Sequence, residues 1–278
     1  MNSDTQYYNK ERLFFDTASL SFFCESKSFP EKLFNRFYRE SFDKALDYIP
    51  ESAVLQKTIL EIGCNISRYL YYFKMIGTQT AIGCDLSLGV LKKALLPHHN
   101  FVKNIDVPPS KIHLIQALAE ETPIKADAID TLFCFRSLHH FLHKDLFIRQ
   151  SYHALKDNGL IILVDPNGNN LLRLLANKVG KYFNYLTEGE NACKPKELIN
   201  DLIKNNFEVM SIKYYNVFSE PVVHLGELSK SHSKILYMFF SALLVVTNAI
   251  DVLLNPIVNR FFPRLGWSFV LIARKHKL

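Results

Sequence analysis

The sequence predicts a doubly wound α/β fold with a mainly parallel seven-stranded sheet and helices on both faces. From Lys57 onward, short apolar runs alternate with stretches of helical length, as in successive βαβ units. Two later runs are rich in β-branched and aromatic residues, which favour strands. A glycine turn follows the first apolar run, at the place where open α/β sheets bind their ligands. These three observations define the predicted fold class.

The first five strands are predicted from short apolar runs that are separated by helical stretches. They are TILEIG (58–63), TAIGCD (80–85), IHLIQA (112–117), IDTLFCF (129–135) and LIILVD (160–165). The two later runs, at 207–217 and 267–274, predict strands six and seven. Five strands joined by helices make the doubly wound core.

At 278 residues, the chain is long enough for one large domain with attachments and rather short for two independent domains. The predicted parts are a helical cap (1–56), the core (57–217), an apolar helical insertion (218–266), and the last strand with a basic tail (267–278). Aromatic residues in the cap indicate amphipathic helices that pack against the sheet or cover its active edge: Phe14, Phe15, Phe22, Phe23, Phe34, Phe37, Tyr38 and Phe42.

The amino-acid composition limits the class of protein, its binding partners and its cellular location. A content of 48% hydrophobic and 22% charged residues is that of a globular protein. The net charge of +6 comes from residues spread along the chain, so no nucleic-acid partner is predicted. The N-terminus carries charges where a signal peptide needs its apolar stretch, which favours a cytoplasmic location. A reducing compartment and no metal site are predicted because none of the five cysteines forms a CxxC pair: Cys24, Cys64, Cys84, Cys134 and Cys193.

The turn after the first strand reads ILEIGCNISRYL and resembles motif I of class I S-adenosylmethionine-dependent methyltransferases, in particular the small-molecule, type 11-like family. The first glycine of that motif is Gly63, and Asn65 and Ser67 replace the second and third. Asparagine tolerates a left-handed backbone and serine is small, so a similar turn is expected. The resemblance implies a Rossmann-like fold, in which Glu61 orients the loop or meets the cofactor's amino group. The backbone from Gly63 through Cys64 to Ser67 would wrap the methionyl part.

The second and third strands predict the nucleoside site. Asp85 ends strand two, 24 residues after Glu61, where a carboxylate can accept hydrogen bonds from two ribose hydroxyls. The run CDLSLGVLKKA resembles the family's motif II, which implies that Leu86 lies beside the adenine. Leu118 stands where the family often has an aspartate that reaches the adenine. The backbone of Ala119 or apolar packing would then make the adenine contact.

The segment IDTLFCFRSLHHF resembles the strand-four motif of small-molecule methyltransferases. The resemblance implies that Phe135 and Arg136 lie at the strand end, next to the sulfonium. His139 and His140 are the candidates for a general base, with His140 favoured. Histidines at this place in similar enzymes also close a helix start or pack beneath the cofactor. The next unit, residues 154–167, matches the family's fifth-strand pattern, so the resemblance covers about 57–167.

The resemblance implies methyl transfer from S-adenosylmethionine, with S-adenosylhomocysteine as product, to a small apolar, lipid-like or natural-product acceptor. In-line displacement from a sulfonium requires alignment of donor and acceptor without a metal or covalent nucleophile. One alternative is a catalytically degenerate scaffold or membrane-proximal binding protein, which the replaced glycines and Leu118 favour. Another is an NAD(P)-dependent oxidoreductase, but GCNISR lacks the GxGxxG spacing.

Within the apolar insertion, a narrow polar stripe runs along a predicted helix. Its members recur every seven residues, with Asp251 on the same side: Lys234, Ser241, Asn248 and Asn255. One interpretation is core packing or homodimer formation. The other is lipid-surface contact through residues 235–264 or a lid over an apolar substrate. Basic residues nearby favour the lipid interpretation: Arg260, Arg264, Arg274, Lys275 and Lys277.

Overall fold

The computed structural model describes residues 3–17, 28–96, 108, 111–174, 192–230 and 232–276. The strands are β1 (Thr58–Ile62), β2 (Thr80–Asp85), β3 (Ile112–Gln116), β4 (Ile129–Phe135), β5 (Leu155–Pro166), β6 (Phe207–Tyr215) and β7 (Ser268–Lys275). They form a single sheet with the order β3-β2-β1-β4-β5-β7-β6. β7 runs antiparallel between β5 and β6, and the pairs from β3 to β5 are parallel. The predicted Rossmann-like, doubly wound fold is confirmed.

Helices cover both faces of the sheet and one of its edges. A capping box at Ser28 and Glu31 starts one of these helices, and the side chains of Ser87 and Ser233 cap the N-termini of two others. The helices are α1 (Ser3–Thr17), α2 (Phe29–Asp43), α3 (Arg68–Ile76), α4 (Leu88–Ala94), α5 (Lys144–Ala154), α6 (Pro195–Lys204), α7 (Ser219–Lys230) and α8 (Lys234–Phe261). Two of the aromatic residues that predict helices in the cap, Phe22 and Phe23, lie outside the described residues, as does Lys277.

The strand order places a crevice at the centre of the sheet. From β1, the chain moves outward through β2 to β3, and then returns to β4 on the other side of β1. The loops after β1 and β4 therefore diverge, and ligands of doubly wound sheets bind at this point. The strands that form it are buried on both faces, in two apolar clusters built around residues such as Leu60 and Ile59.

β5 begins earlier than the sequence pattern predicts. Leu155 already pairs with Ile129, and the register then shifts so that Thr131 pairs with Leu160. The residues between form a bulge in which Asn158 has a φ of +61°. The apolar run thus identified the buried part of the strand and missed its polar, bulged beginning.

α8 covers the exposed edge of β6. The Asn259 side chain accepts from the Tyr214 amide at 2.6 Å and donates to the Tyr214 carbonyl at 2.7 Å, as a neighbouring strand would. Asn255 Oδ1 accepts from the Asn216 amide at 3.2 Å. These side chains satisfy backbone groups that an edge strand otherwise leaves open. The predicted polar stripe exists, and beyond Lys234 it faces the protein.

Candidate functional site

The turn after β1 is held in a left-handed conformation at three places. Gly63, Asn65 and Ser67 have φ values of +69°, +48° and +60°. The amides of Gly63 and Cys64 both donate to the Cys84 carbonyl, at 2.8 and 3.0 Å, which fixes the turn against β2. Asparagine adopts this conformation readily, as expected at this position. For Ser67, small size was the only expectation, and its left-handed backbone is a finding of the structure.

Position 63 requires a glycine because its backbone is left-handed and because the Ser137 side chain lies close to it. A Cβ built on it would lie 2.2 Å from Ser137 Oγ and 2.4 Å from Ser137 Cβ. We expect Gly63→Ala to lower the free energy of unfolding by about 2 kcal/mol, since alanine disfavours positive φ by about 1 kcal/mol and also meets Ser137. Urea denaturation measures this loss.

A double variant separates the two contributions of Gly63. Ser137→Gly in the Gly63→Ala background removes the close contact and leaves the left-handed backbone, so about half of the loss should be recovered. Ser137→Gly alone is the control. Equal unfolding free energies for Gly63→Ala with and without Ser137 would contradict the steric part of the explanation.

Asp85 joins two loops at the crevice. Its Oδ2 accepts from the Asn65 amide at 2.8 Å and its Oδ1 from the Ser87 amide at 2.9 Å. Burial raises the pKa of this carboxyl, although both amide hydrogen bonds act against the rise. Each carboxylate oxygen can accept a further hydrogen bond. The residue is therefore placed to bind a pair of hydroxyl donors.

Glu61 lies in the same crevice with an unsatisfied carboxyl oxygen. The side chain is buried near the carboxyl end of β1, and its Oε2 has no hydrogen-bond partner among the described residues. Burial, followed by the negative charge of Asp85, raises the pKa of Glu61 well above its ordinary value. The Asn65 side-chain oxygen on the adjacent turn is also without a partner. Buried acceptors without partners fit a ligand that brings an ammonium group and other donors.

The loop after β3 lies against the end of β2. The Ala117 amide donates to the Asp85 carbonyl at 3.2 Å, and the Gln116 side chain donates to the Leu86 carbonyl at 3.1 Å. Leu118 and Ala119 follow directly and begin a 3-10 turn. The positions predicted for adenine contact are thus brought to the same edge of the sheet as Asp85. Their contact with an adenine stays a prediction.

The two candidate histidines face different surroundings. His139 is buried, and its Nδ1 lies 2.8 Å from Asp165 Oδ1. His140 Nδ1 lies 3.1 Å from Glu11 Oε2, and its ring meets the edge of the Phe15 ring at 5.3 Å. His139 therefore belongs to the interior. His140 lies beneath α1 at the crevice, so the two residues can have separate roles.

The carboxyl of Asp165 should make the free energy of unfolding depend on pH in the acid range. Burial by itself raises its pKa, but neighbouring His139 holds the pKa below the ordinary value of 3.8. A lowered folded-state pKa stabilises the protein above the unfolded-state pKa, and this contribution is lost as the pH falls below about 4. Asp165→Asn should therefore lower the free energy of unfolding by about 2 kcal/mol at neutral pH. Denaturation at several pH values measures the difference, which should shrink below about pH 4. A difference independent of pH would contradict the ion pair.

Arg136 forms a buried ion pair at the end of β4. Its backbone has a φ of +51°, and its guanidinium bonds to the fully buried Glu220 of α7. It also donates to Ser268 Oγ at 3.1 Å and lies 4.3 Å from the centre of the Phe42 ring. Sequence patterns did not identify Glu220, because it lies in the apolar insertion with no motif around it.

α1 lies across the crevice. Tyr7 donates to the His140 carbonyl at 2.8 Å, and Tyr8 bonds to Glu120. Asp16 accepts from the Gly89 amide at 2.9 Å and from the Ser87 hydroxyl. The helix therefore touches the loops after β2, β3 and β4. The aromatic residues of the cap predicted helices that pack against the sheet or cover its active edge, and α1 covers this edge.

Comparison with known proteins agrees with this geometry. Residues 60–163 match the family model described as a methyltransferase domain. This segment contains Glu61, the glycine turn, Asp85 and the loops after β3 and β4. Over these 104 of its 278 residues, the chain is similar to methyltransferase domains. No curated protein is significantly similar to the chain in sequence.

Solved structures share the fold over nearly the whole chain. Geranyl diphosphate C-methyltransferase from Streptomyces coelicolor has a TM-score of 0.64 at 11% identity, covering 98% of both chains. Magnesium protoporphyrin IX methyltransferase from Synechocystis has a TM-score of 0.60 at 13% identity, covering 96% of this chain and 99% of its own. The [4+2]-cyclase SpnF has a TM-score of 0.60 at 14% identity, covering 98% and 94%. At these identities the likeness establishes the fold alone.

Proposed function

We propose that the chain transfers a methyl group from S-adenosylmethionine to a small apolar acceptor. The observation that carries this proposal is the convergence of Glu61, Asp85 and the left-handed turn at the central crevice, where Glu61 Oε2 has no hydrogen-bond partner among the described residues. When bound, S-adenosylmethionine supplies a methyl group activated by a sulfonium. Two of the structural relatives were solved with S-adenosylhomocysteine bound.

Each residue at the crevice would bind a different part of the cofactor. Glu61 would accept the ammonium group of the methionyl part, because that cation satisfies its buried oxygen. Asp85 would accept hydrogen bonds from the ribose hydroxyls through the free lone pairs of its two oxygens. The adenine would lie between Leu86 and the turn at Leu118 and Ala119. Gly63 to Ser67 would present backbone to the ligand.

The acceptor would lie on a side of the crevice that is apolar and aromatic. Phe135, at the end of β4, packs against a cluster from α2, α7 and α8 that includes Phe34, Phe42 and Val223. Arg136 and Glu220 neutralise each other there, so the ion pair adds little net charge. The partly exposed ring of Phe135, backed by this buried cluster, would contact an apolar acceptor. Geranyl diphosphate C-methyltransferase, which shares the fold, was solved with Mg2+ and geranyl diphosphate bound.

His140 is the residue we assign as general base when the acceptor loses a proton. It lies at the crevice beneath α1, where Tyr7 donates to its carbonyl and Glu11 lies 3.1 Å from its Nδ1. His139 is paired with Asp165 and is a positioning residue for the same turn. α1 would exclude water from the reacting groups, which in-line displacement requires.

Two measurements test the proposal. Titration calorimetry of the purified chain with S-adenosylmethionine should show one binding site, and S-adenosylhomocysteine should compete for it. Cell extract incubated with methyl-labelled cofactor should then yield label in the organic phase. Failure to bind the cofactor would refute the enzymatic proposal and favour the scaffold. Binding with label only in aqueous products would refute the apolar acceptor.

A further inference from the structure

α8 carries its polar residues inward and its apolar residues outward. Ser241, Asn248, Asp251 and Asn255 are buried against the protein. The outward side, which we call the apolar face of α8, is exposed over the whole helix. Ile235 is 80% exposed and Leu253 75%, and the face also includes Phe239, Val246, Ile257 and Phe261. A helix on the surface of a soluble protein has the opposite orientation.

Charges occur only at the two ends of this face. Between residues 234 and 265, the charged residues are Lys234, Asp251, Arg260 and Arg264. Asp251 is buried, so every exposed charge is basic. From Ile235 to Phe261 the helix is roughly 40 Å long. The surface is therefore a long apolar strip with cations at both ends.

We infer that the apolar face of α8 docks on a membrane containing anionic lipids, with the helix parallel to the bilayer surface. Apolar side chains would enter the boundary of the acyl chains, and the basic ends would meet lipid phosphates. A second copy of the chain fits less well. Pairing α8 with itself brings basic ends together in either direction, with no exposed acid between 234 and 265 to neutralise them.

Crossing the membrane is excluded by the inward contacts. The whole of α8 is long and apolar enough to span a bilayer. Its uncharged run, residues 235–250, is by itself too short. Asp251, however, accepts hydrogen bonds from the amides of Val217, Phe218 and Ser219 at 2.9 to 3.0 Å. Asn259 pairs with the backbone of β6. A spanning helix would leave these groups without partners in hydrocarbon.

A second exposed apolar segment is tied to the turn that follows α8. Asn170 donates to the carbonyl of Leu265 in this turn at 2.9 Å. The residues that follow, Leu171 and Leu172, are 76% and 61% exposed. Arg173 turns inward, with its guanidinium 5.7 Å from the Trp267 ring centre. Here too the apolar side chains point outward and the charge points in.

Arg274 and Lys275 of the basic tail are not part of this surface. Arg274 pairs with Glu208 at 2.6 Å, and Lys275 is buried beside Asp127 at 2.7 Å. Both lie at the end of β7 that pairs with the start of β6, whereas α8 bonds to residues 214–219 at the other end. The sequence-based inclusion of Arg274 and Lys275 is therefore corrected, and Arg260 and Arg264 remain.

Vesicle flotation of the full chain tests the proposal without reference to catalysis. The probes are phosphatidylcholine vesicles and vesicles that also contain phosphatidylglycerol. The chain should float with the mixed vesicles, and added salt should weaken this binding. The double variant Phe239→Glu with Leu253→Glu should lower the partition constant at least tenfold. The control, Met75→Glu with Leu95→Glu, changes two apolar residues that are each 50% exposed, one on α3 and one directly after α4, and should bind like wild type.

A second variant tests the basic ends. Arg260→Gln with Arg264→Gln should reduce partition to the mixed vesicles about tenfold, and partition to phosphatidylcholine much less. Equal binding to both vesicle types would overturn the choice of anionic lipid. No flotation, or flotation unaffected by the Phe239 and Leu253 changes, would overturn docking. A dimer in sedimentation that those changes dissociate would identify a second copy as the occupant instead.

Discussion

Asp85→Ala is expected to weaken S-adenosylmethionine binding by about 100-fold or more. Two ribose hydroxyls donating to a buried carboxylate contribute about 1.5 to 3 kcal/mol each, and every 1.4 kcal/mol is a factor of ten. Asp85 also holds the amides of Asn65 and Ser87, so its removal loosens both loops of the crevice. Titration calorimetry measures the affinity directly.

Asp130→Ala is the matched control for this variant. Asp130 also accepts from a backbone amide, that of Thr58 at 2.9 Å, and pairs with Lys156. It lies at the opposite end of the parallel strands, away from the crevice. We expect a loss of stability with unchanged cofactor affinity. Wild-type affinity in Asp85→Ala would show that the carboxylate does not hold the ligand.

Asp251→Ala is expected to lower the free energy of unfolding by about 3 to 5 kcal/mol. Its carboxylate accepts from three backbone amides and from Ser219 Oγ at 2.6 Å, all at the start of α7. Alanine would leave these buried donors without partners, and each unsatisfied donor costs about 1 to 3 kcal/mol before relaxation. Chemical denaturation followed by circular dichroism measures the loss.

Two further variants define the origin of that loss. Asp251→Asn keeps one acceptor oxygen and should lose less, about 1 to 2 kcal/mol. Asp145→Ala removes an exposed helical acid that pairs with Arg149, and should change stability by less than about 0.5 kcal/mol. Equal losses for Asp251→Ala and Asp145→Ala would contradict the capping role of Asp251.

Sequence patterns predicted the sheet well because its strands are buried on both faces. Apolar runs located β2 and β4 to the residue and the other strands to within a few residues, with β5 beginning earlier than expected. Asp85 and the turn at Gly63 could be placed because strand ends in such a sheet converge on one crevice. Asn65 could be assigned its left-handed backbone because few other residues adopt it.

Other parts of the site depend on contacts between distant segments. Arg136 and Glu220 are 84 residues apart, and His139 and Asp165 are 26 apart. No fixed spacing links either pair, so only the folded chain reveals them. The sequence showed the polar stripe on α8 as a period of seven residues. It did not show whether this stripe faces the protein or the solvent. Periodicity shows that a helix has two sides and leaves open which side meets the protein.

The position of β7 imposes an order on assembly. β6 reaches the sheet only through β7, and β7 follows α8 in the chain. The ribosome therefore releases the whole of α8 before β6, whose backbone bonds to Asn259, has a fixed place in the sheet. During synthesis, β6 and the contacts that α8 makes with it are not anchored to the sheet until residue 275 has emerged. This interval is when a nascent chain is most prone to aggregate, and also when an available bilayer could shield the helix before the sheet closes.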